Sequence, residues 1–169
     1  LVAIAMEKWN VHTRIALRII SLIGTSPRRI IGGFLAATAF MSAWISNSAT
    51  TLMMLPVAAA VTTRFSAGES DGDFRTALML AVAYGASIGG IATLVGSPPN
   101  MIMAGMYSTL TGSGISFLAW SAFAAPIAGI MLLLAWIYLV FVAFPQIRSG
   151  ETAGIGDQIR EIGPISKEE

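Results

Sequence analysis

Trp44-Ile45-Ser46-Asn47-Ser48-Ala49-Thr50-Thr51 is a polar cluster in the middle of an apolar run, residues 30 to 63, that contains no charged residue. Hydroxyls and a carboxamide placed there must find partners, because an unpaired amide or hydroxyl in hydrocarbon costs several kcal/mol. Non-helical backbone at membrane depth is tolerated only where it is buried in protein or lines a wet cavity. The cluster therefore predicts the tip of a broken helical hairpin, offering oxygen and nitrogen ligands to something small.

The rest of the chain supports a membrane setting. Of its 169 residues 55% are hydrophobic and 11% charged, against about 25% charged in a globular domain. Residues 76 to 147 carry no charge at all, which a soluble surface could not accommodate. The net charge of +1 supplies no basic field for nucleic acid, and the absence of cysteine removes disulfides, thiolate metal sites and Cys nucleophiles. The fold class expected is all-α and integral to the membrane.

Residues 1–9, with Leu1 to Met6 running into Glu7 and Lys8, read as the end of a transmembrane helix. Residues 10–26 place Arg14 and Arg18 four apart among Ile15, Ile19 and Leu22, the pattern of an amphipathic helix lying on the bilayer. Gly24 ends it, and Thr25-Ser26-Pro27 offers an N-cap hydroxyl and an N1 proline to the next helix. The polar cluster then divides residues 27–64 into two arms, each shorter than the roughly 20 residues a spanning helix needs. Arg28 and Arg29 precede this segment, and Arg64 and Arg75 follow it. Both ends therefore belong on the cytoplasmic side. A re-entrant helical hairpin satisfies length, charge and buried tip together, with Pro56 kinking its second arm.

Residues 65–75 are a hydrophilic cytoplasmic loop rich in turn formers. Residues 76–107 are long enough to cross but are interrupted at Ser87-Ile88-Gly89-Gly90 and at Gly96-Ser97-Pro98-Pro99-Asn100, so a discontinuous transmembrane helix is expected, non-helical through 96–99. After an uncharged external turn, residues 117–144 return as a continuous transmembrane helix. Residues 145–169 form a polar cytoplasmic segment at which the sequence looks truncated, so the chain reads as a piece of a larger protein.

Two breaks at half-membrane depth can meet. Transporters place substrate and coupling ions at such unwound segments, where half-helix N-termini attract anions and freed carbonyls hold cations. Neither break contains a carboxylate, so an anion is not repelled. Hydroxyls, a carboxamide and backbone carbonyls suit a hard cation.

The stretch Met41-Ser42-Ala43-Trp44-Ile45-Ser46-Asn47-Ser48-Ala49-Thr50-Thr51, followed by Gly89-Gly90-Ile91-Ala92-Thr93-Leu94-Val95-Gly96-Ser97-Pro98-Pro99-Asn100, resembles the divalent anion/sodium symporter family, the solute carrier 13 type of dicarboxylate, citrate and sulfate transporters. The resemblance covers essentially the whole hydrophobic chain and implies the first of two inverted repeats. It implies Ser42, Ser46, Asn47 and Gly96 as ligands of Na⁺, and Asn47, Ser48 and Ser97 as contacts of a substrate carboxylate. Position 48 is Ser where the family motif has Thr, which keeps the hydroxyl and loses a methyl. The family's second Ser-Asn-Thr motif has no counterpart here, so the chain is expected to carry half of the substrate site and not to transport by itself. The resemblance further implies sodium-coupled transport of small divalent anions, C4-dicarboxylates above all, and a homodimer of the full-length protein in a plasma or bacterial inner membrane.

Plainer readings stand beside these. A lone hydroxyl such as that of Ser42 is ordinarily packing glue, and Gly89-Gly90 is ordinarily a close helix contact. Met53, Met54, Met101, Met103 and Met106 are core fillers. Arg28 and Arg29 are topology signals and headgroup contacts, while Trp44 is expected to pack the hairpin. A sodium-independent anion channel or permease of the same architecture is the alternative function, distinguished by uptake indifferent to a sodium gradient. An intramembrane serine hydrolase would need a base near Ser46. His12 lies among interfacial cations remote in depth, and no Gly-x-Ser-x-Gly elbow is present, so no enzyme is expected.

Overall fold

The computed structural model describes residues 26–64 and 71–147. The expectations for residues 1–9, for the interfacial helix before Ser26, for residues 65–70 and for those beyond 147 lie outside the described residues. The described residues form five α-helices and no strand: α1 Pro27–Ser42, α2 Asn47–Arg64, α3 Asp71–Gly89, α4 Pro98–Thr111 and α5 Phe117–Ile137, the last continued by a π-helical stretch, Tyr138–Ala143. The all-helical class expected from the sequence is what the described residues adopt.

Polarity cannot say which way these helices face, because they are mostly apolar. Side-chain size does. On α3, Ala77, Ala81, Gly85 and Gly89 recur every four residues, a ladder of small side chains that lets two backbones approach. A Cβ on Gly85 would lie 2.6 Å from the Leu35 carbonyl oxygen, and one on Gly89 would collide with the backbone of Ala39. Gly89 is thus a close-packing residue against α1, and α1 and α3 form the most extensive helix pair. Beside the ladder, Phe34 and Met41 of α1, Met54 and Ala58 of α2, Leu78 and Val82 of α3, and Leu139 and Val140 of the π stretch make one buried cluster.

The first break spans residues 43–46, and the chain turns there from α1 into α2. α2 continues as one helix through the exposed Pro56. The two interruptions expected at 87–90 and 96–100 are one break, residues 90–97, with 87–89 and 98–100 helical on either side. α3 stops at Gly89, but Pro98 and Pro99 open α4 instead of belonging to the unwound stretch. At the first helical positions the missing N–H costs nothing and the fixed φ is already helical, so the prolines start a helix here. Ser26 precedes α1 as its N-cap, yet its side chain makes no capping bond, contrary to expectation.

Among the described residues one helical stretch, Phe117–Ala143, is long and apolar enough to cross a membrane. It does not stay α-helical throughout, since its last turns widen to π. Arg28 anchors that end. Its Nε donates to the Ile147 carbonyl at 2.9 Å, its guanidinium carbon lies 5.4 Å from the centre of the Phe141 ring, and its own carbonyl accepts from Trp136 Nε1 at 3.0 Å. Arg29 is exposed and makes none of these contacts. The two arginines, equivalent in the sequence, therefore differ: Arg28 clamps α1 to the end of the π stretch.

Candidate functional site

The two breaks meet. Ser42 closes α1, is fully buried, and its Oγ lies 2.6 Å from the Ala86 carbonyl oxygen of α3 and 2.8 Å from Asn47 Oδ1. A hydroxyl has one proton, so it cannot donate to both oxygens. With the Asn47 amide turned to present Nδ2, the hydroxyl donates to Ala86 and accepts from Asn47. Gly90, the first residue past α3, packs so closely on Asn47 that a Cβ would strike the carboxamide oxygen. A Cβ on Gly96 would lie 2.7 Å from the Gly90 carbonyl oxygen and 2.9 Å from that of Ser42. Ser42, Asn47, Gly90 and Gly96 thus pack directly against one another.

The helix ends explain the polarity of this meeting point. α1 and α3 arrive by their C-termini, whose last carbonyls lack intrahelical partners, while α2 and α4 begin there with their free N–H groups. Carbonyl ends favour a cation and N-terminal ends an anion, so one place can attract both. The donor set is neutral and oxygen-based, and among the described residues no group of His, Cys, Asp or Glu could hold a metal ion. It suits a hard monovalent cation such as Na⁺ and offers nothing to a thiophilic metal.

A family profile for citrate transporters, CitMHS, matches residues 1–168. The chain belongs to the citrate transporter family. Over all of its length it is similar to sodium-dependent dicarboxylate transporters SdcS, at 39% identity to that of Staphylococcus saprophyticus and 38% to that of Staphylococcus aureus strain NCTC 8325. It spans 34% of the length of each of these relatives. Membership in this family agrees with the resemblance carried by the motif pair.

Within this citrate-transporter chain the sequence-predicted residues divide by burial. Ser42 and Gly96 are buried and Asn47 half-buried at the meeting point. Ser46 is exposed, and its Oγ accepts from the Ala49 amide at 3.4 Å, a long capping contact at the start of α2. Ser48 is exposed on the first turn of α2, and Ser97 is half-buried as the N-cap of α4, making no side-chain capping bond. Both hydroxyls stand at helix N-termini, the ends that favour an anion.

Three contributors went unassigned in the sequence reading. The Ala86 carbonyl carries no residue-type signal. Thr93, 7% exposed, donates its hydroxyl to the Ala43 carbonyl and accepts from the Gly96 amide at 3.1 Å. Asn100, also buried, spends both amide hydrogens on the carbonyls of Gly90 and Thr93, each at 2.8 Å. A signal for Asn100 existed, since a carboxamide deep in an apolar run needs partners just as Asn47 does. Trp44 departs from expectation: it is exposed and stacks on Phe117 at 6.2 Å instead of packing within the hairpin.

Proposed function

We propose that this chain is the first half of the membrane domain of a sodium-coupled carrier of small divalent anions, C4-dicarboxylates above all. The observation that carries the reading is the meeting of two helix breaks around Ser42, Asn47, Gly90 and Gly96, where the Ser42 hydroxyl lies between the Ala86 carbonyl and the Asn47 carboxamide. Residues 27–64 act as a re-entrant hairpin whose ends face the cytoplasm, and residues 76–107 as a discontinuous span in a multi-pass protein of the cell membrane. Ser42, Ser46, Asn47 and Gly96 hold Na⁺, whose charge offsets that of the anion beside it. Asn47, Ser48 and Ser97 receive one substrate carboxylate at the N-termini of α2 and α4. The names of the relatives support both the coupling ion and the substrate class.

Coupling follows from shared residues. Asn47 belongs to both sets, so filling one pre-orders the other, which is a reciprocal coupling free energy between the two ligands. The carrier's remaining residues complete the substrate site, and movement of this bundle against a scaffold alternates its access. Homodimerisation of the full-length carrier follows from the family resemblance. The test is radiolabelled succinate uptake into proteoliposomes of the full-length protein, with and without an inward sodium gradient. Sodium-dependent accumulation is expected. Downhill uptake indifferent to sodium would replace the symporter by a channel or uncoupled permease, with Asn47 and Ser48 as anion ligands only.

A further inference from the structure

Thr93 lies in the unwound segment between α3 and α4, and its hydroxyl is used twice. It donates to the Ala43 carbonyl at the hairpin tip, fifty residues earlier in the chain, and accepts from the Gly96 amide at 3.1 Å. Ala43 is 8% exposed and Gly96 is buried, so neither partner has ready access to water in Thr93's place. Elsewhere in the described helices, Thr51, Thr76, Thr109 and Thr111 each donate back to the carbonyl four residues earlier, the usual way a helical threonine satisfies itself. Thr93 departs from that habit and reaches across to another element.

Asn100 supports it from the other side. Its Nδ2 donates to the carbonyls of Gly90 and Thr93, tying the first turn of α4 to both ends of the loop's tight part. Trp120 Nε1 of α5 reaches the intervening Ile91 carbonyl at 3.0 Å. The loop thus has its shape set from three directions, and of these residues Thr93 is the one that bonds to the hairpin.

Resting on the sodium-carrier reading above, we infer that Thr93 is a positioning residue for the cation site: its hydroxyl fixes the hairpin tip against the unwound segment, so that Ser42 and Asn47 from one and Gly96 from the other are held as a single ligand set. Thr93 holds the Gly96 N–H with both its hydroxyl and its own carbonyl, which fixes the backbone at Gly96. It does not itself touch the ion.

The test uses the full-length carrier in proteoliposomes and reads the sodium concentration for half-maximal succinate uptake separately from the maximal rate. Thr93→Val keeps the shape and removes the hydroxyl, leaving the buried Ala43 carbonyl without its Thr93 donor and the Gly96 amide with only its longer, 3.4 Å contact to the Thr93 carbonyl. It should raise the half-saturating sodium concentration about tenfold, while Thr93→Ser, which keeps the hydroxyl, stays within about twofold of the parent. An unchanged sodium requirement in Thr93→Val, or a Thr93→Ser variant as impaired as Thr93→Val, overturns the inference. Asn47→Ala run in parallel separates the two levels: if it alone shifts the sodium requirement, the Thr93 role fails and the carrier reading stands. If neither variant shifts it, both fail. Should Thr93→Val not fold, hydrogen–deuterium exchange on the parent protein decides. Sodium should slow exchange in peptides covering 42–48 and 90–100 together, and slowing confined to one of them overturns the proposed joint.

Discussion

Asn47 carries more of the proposed chemistry than any other single side chain, because it belongs to both the cation set and the carboxylate set. Asn47→Ala in the full-length carrier should therefore weaken sodium and succinate affinity together, each by about tenfold, the scale of one lost bond to a charged group. Equilibrium binding of each ligand in the presence and absence of the other checks this, and loss of one affinity alone would assign Asn47 to that ligand only. Gly96 is constrained differently. Its Cβ position faces two backbone carbonyls, at 2.7 and 2.9 Å, and backbone cannot swing aside as a side-chain tip can. Gly96→Ala must push the unwound segment off the hairpin tip, so sodium-dependent uptake should be lost although the protein still reaches the membrane, as a comparison of uptake with surface expression would reveal. Ser48 has room to spare. It is exposed, so Ser48→Thr, which restores the methyl of the family motif, should leave thermal stability unchanged and alter only the apparent affinity for succinate.

At the scale of elements, the small-residue ladder of α3 decides how closely α1 can lie. Gly89→Ala places a methyl into the backbone of Ala39, and overpacking of this kind costs about 1–3 kcal/mol. The purified carrier should melt several degrees lower, with the loss appearing in stability before it appears in sodium affinity. The arginines at the start of α1 give a paired test. Arg28→Gln removes the bond to the Ile147 carbonyl and the contact with the Phe141 ring, and because Arg28 is half-buried the cost should be about 1 kcal/mol. Arg29→Gln, on an exposed side chain, should leave the melting temperature in place. Equal effects of the two substitutions would mean that both act through membrane topology and not through the clamp.

For the whole molecule, the parts legible in the sequence were those where the chain breaks its own pattern. Ser46-Asn47-Ser48 interrupts an uncharged run and Gly96-Ser97-Pro98-Pro99 interrupts another, and polar or helix-breaking residues in such places have few uses. Helix orientation was not legible, because beyond their charged first turns α1 and α3 are mostly apolar and the four-residue spacing of Ala77, Ala81, Gly85 and Gly89 is what distinguishes a face. Nor was the role of Thr93, since a threonine's usual bond is to its own helix and nothing local says that it will reach Ala43 instead. The same distinction between local pattern and distant partner bears on transport. Ser-Asn occurs once in these 169 residues, which span 34% of the length of the relatives, so under the proposed carrier reading the chain supplies a single hairpin tip to a dicarboxylate. Residues 1–169 alone, reconstituted in liposomes, should therefore accumulate no succinate under an inward sodium gradient that drives uptake by the full-length carrier. Coexpression of the complementary part of the carrier as a separate chain should restore it, because the missing carboxylate contacts come from that part. Uptake by the isolated chain at the full-length rate would mean instead that copies of this half assemble around the anion, each presenting its own Asn47 and Ser48.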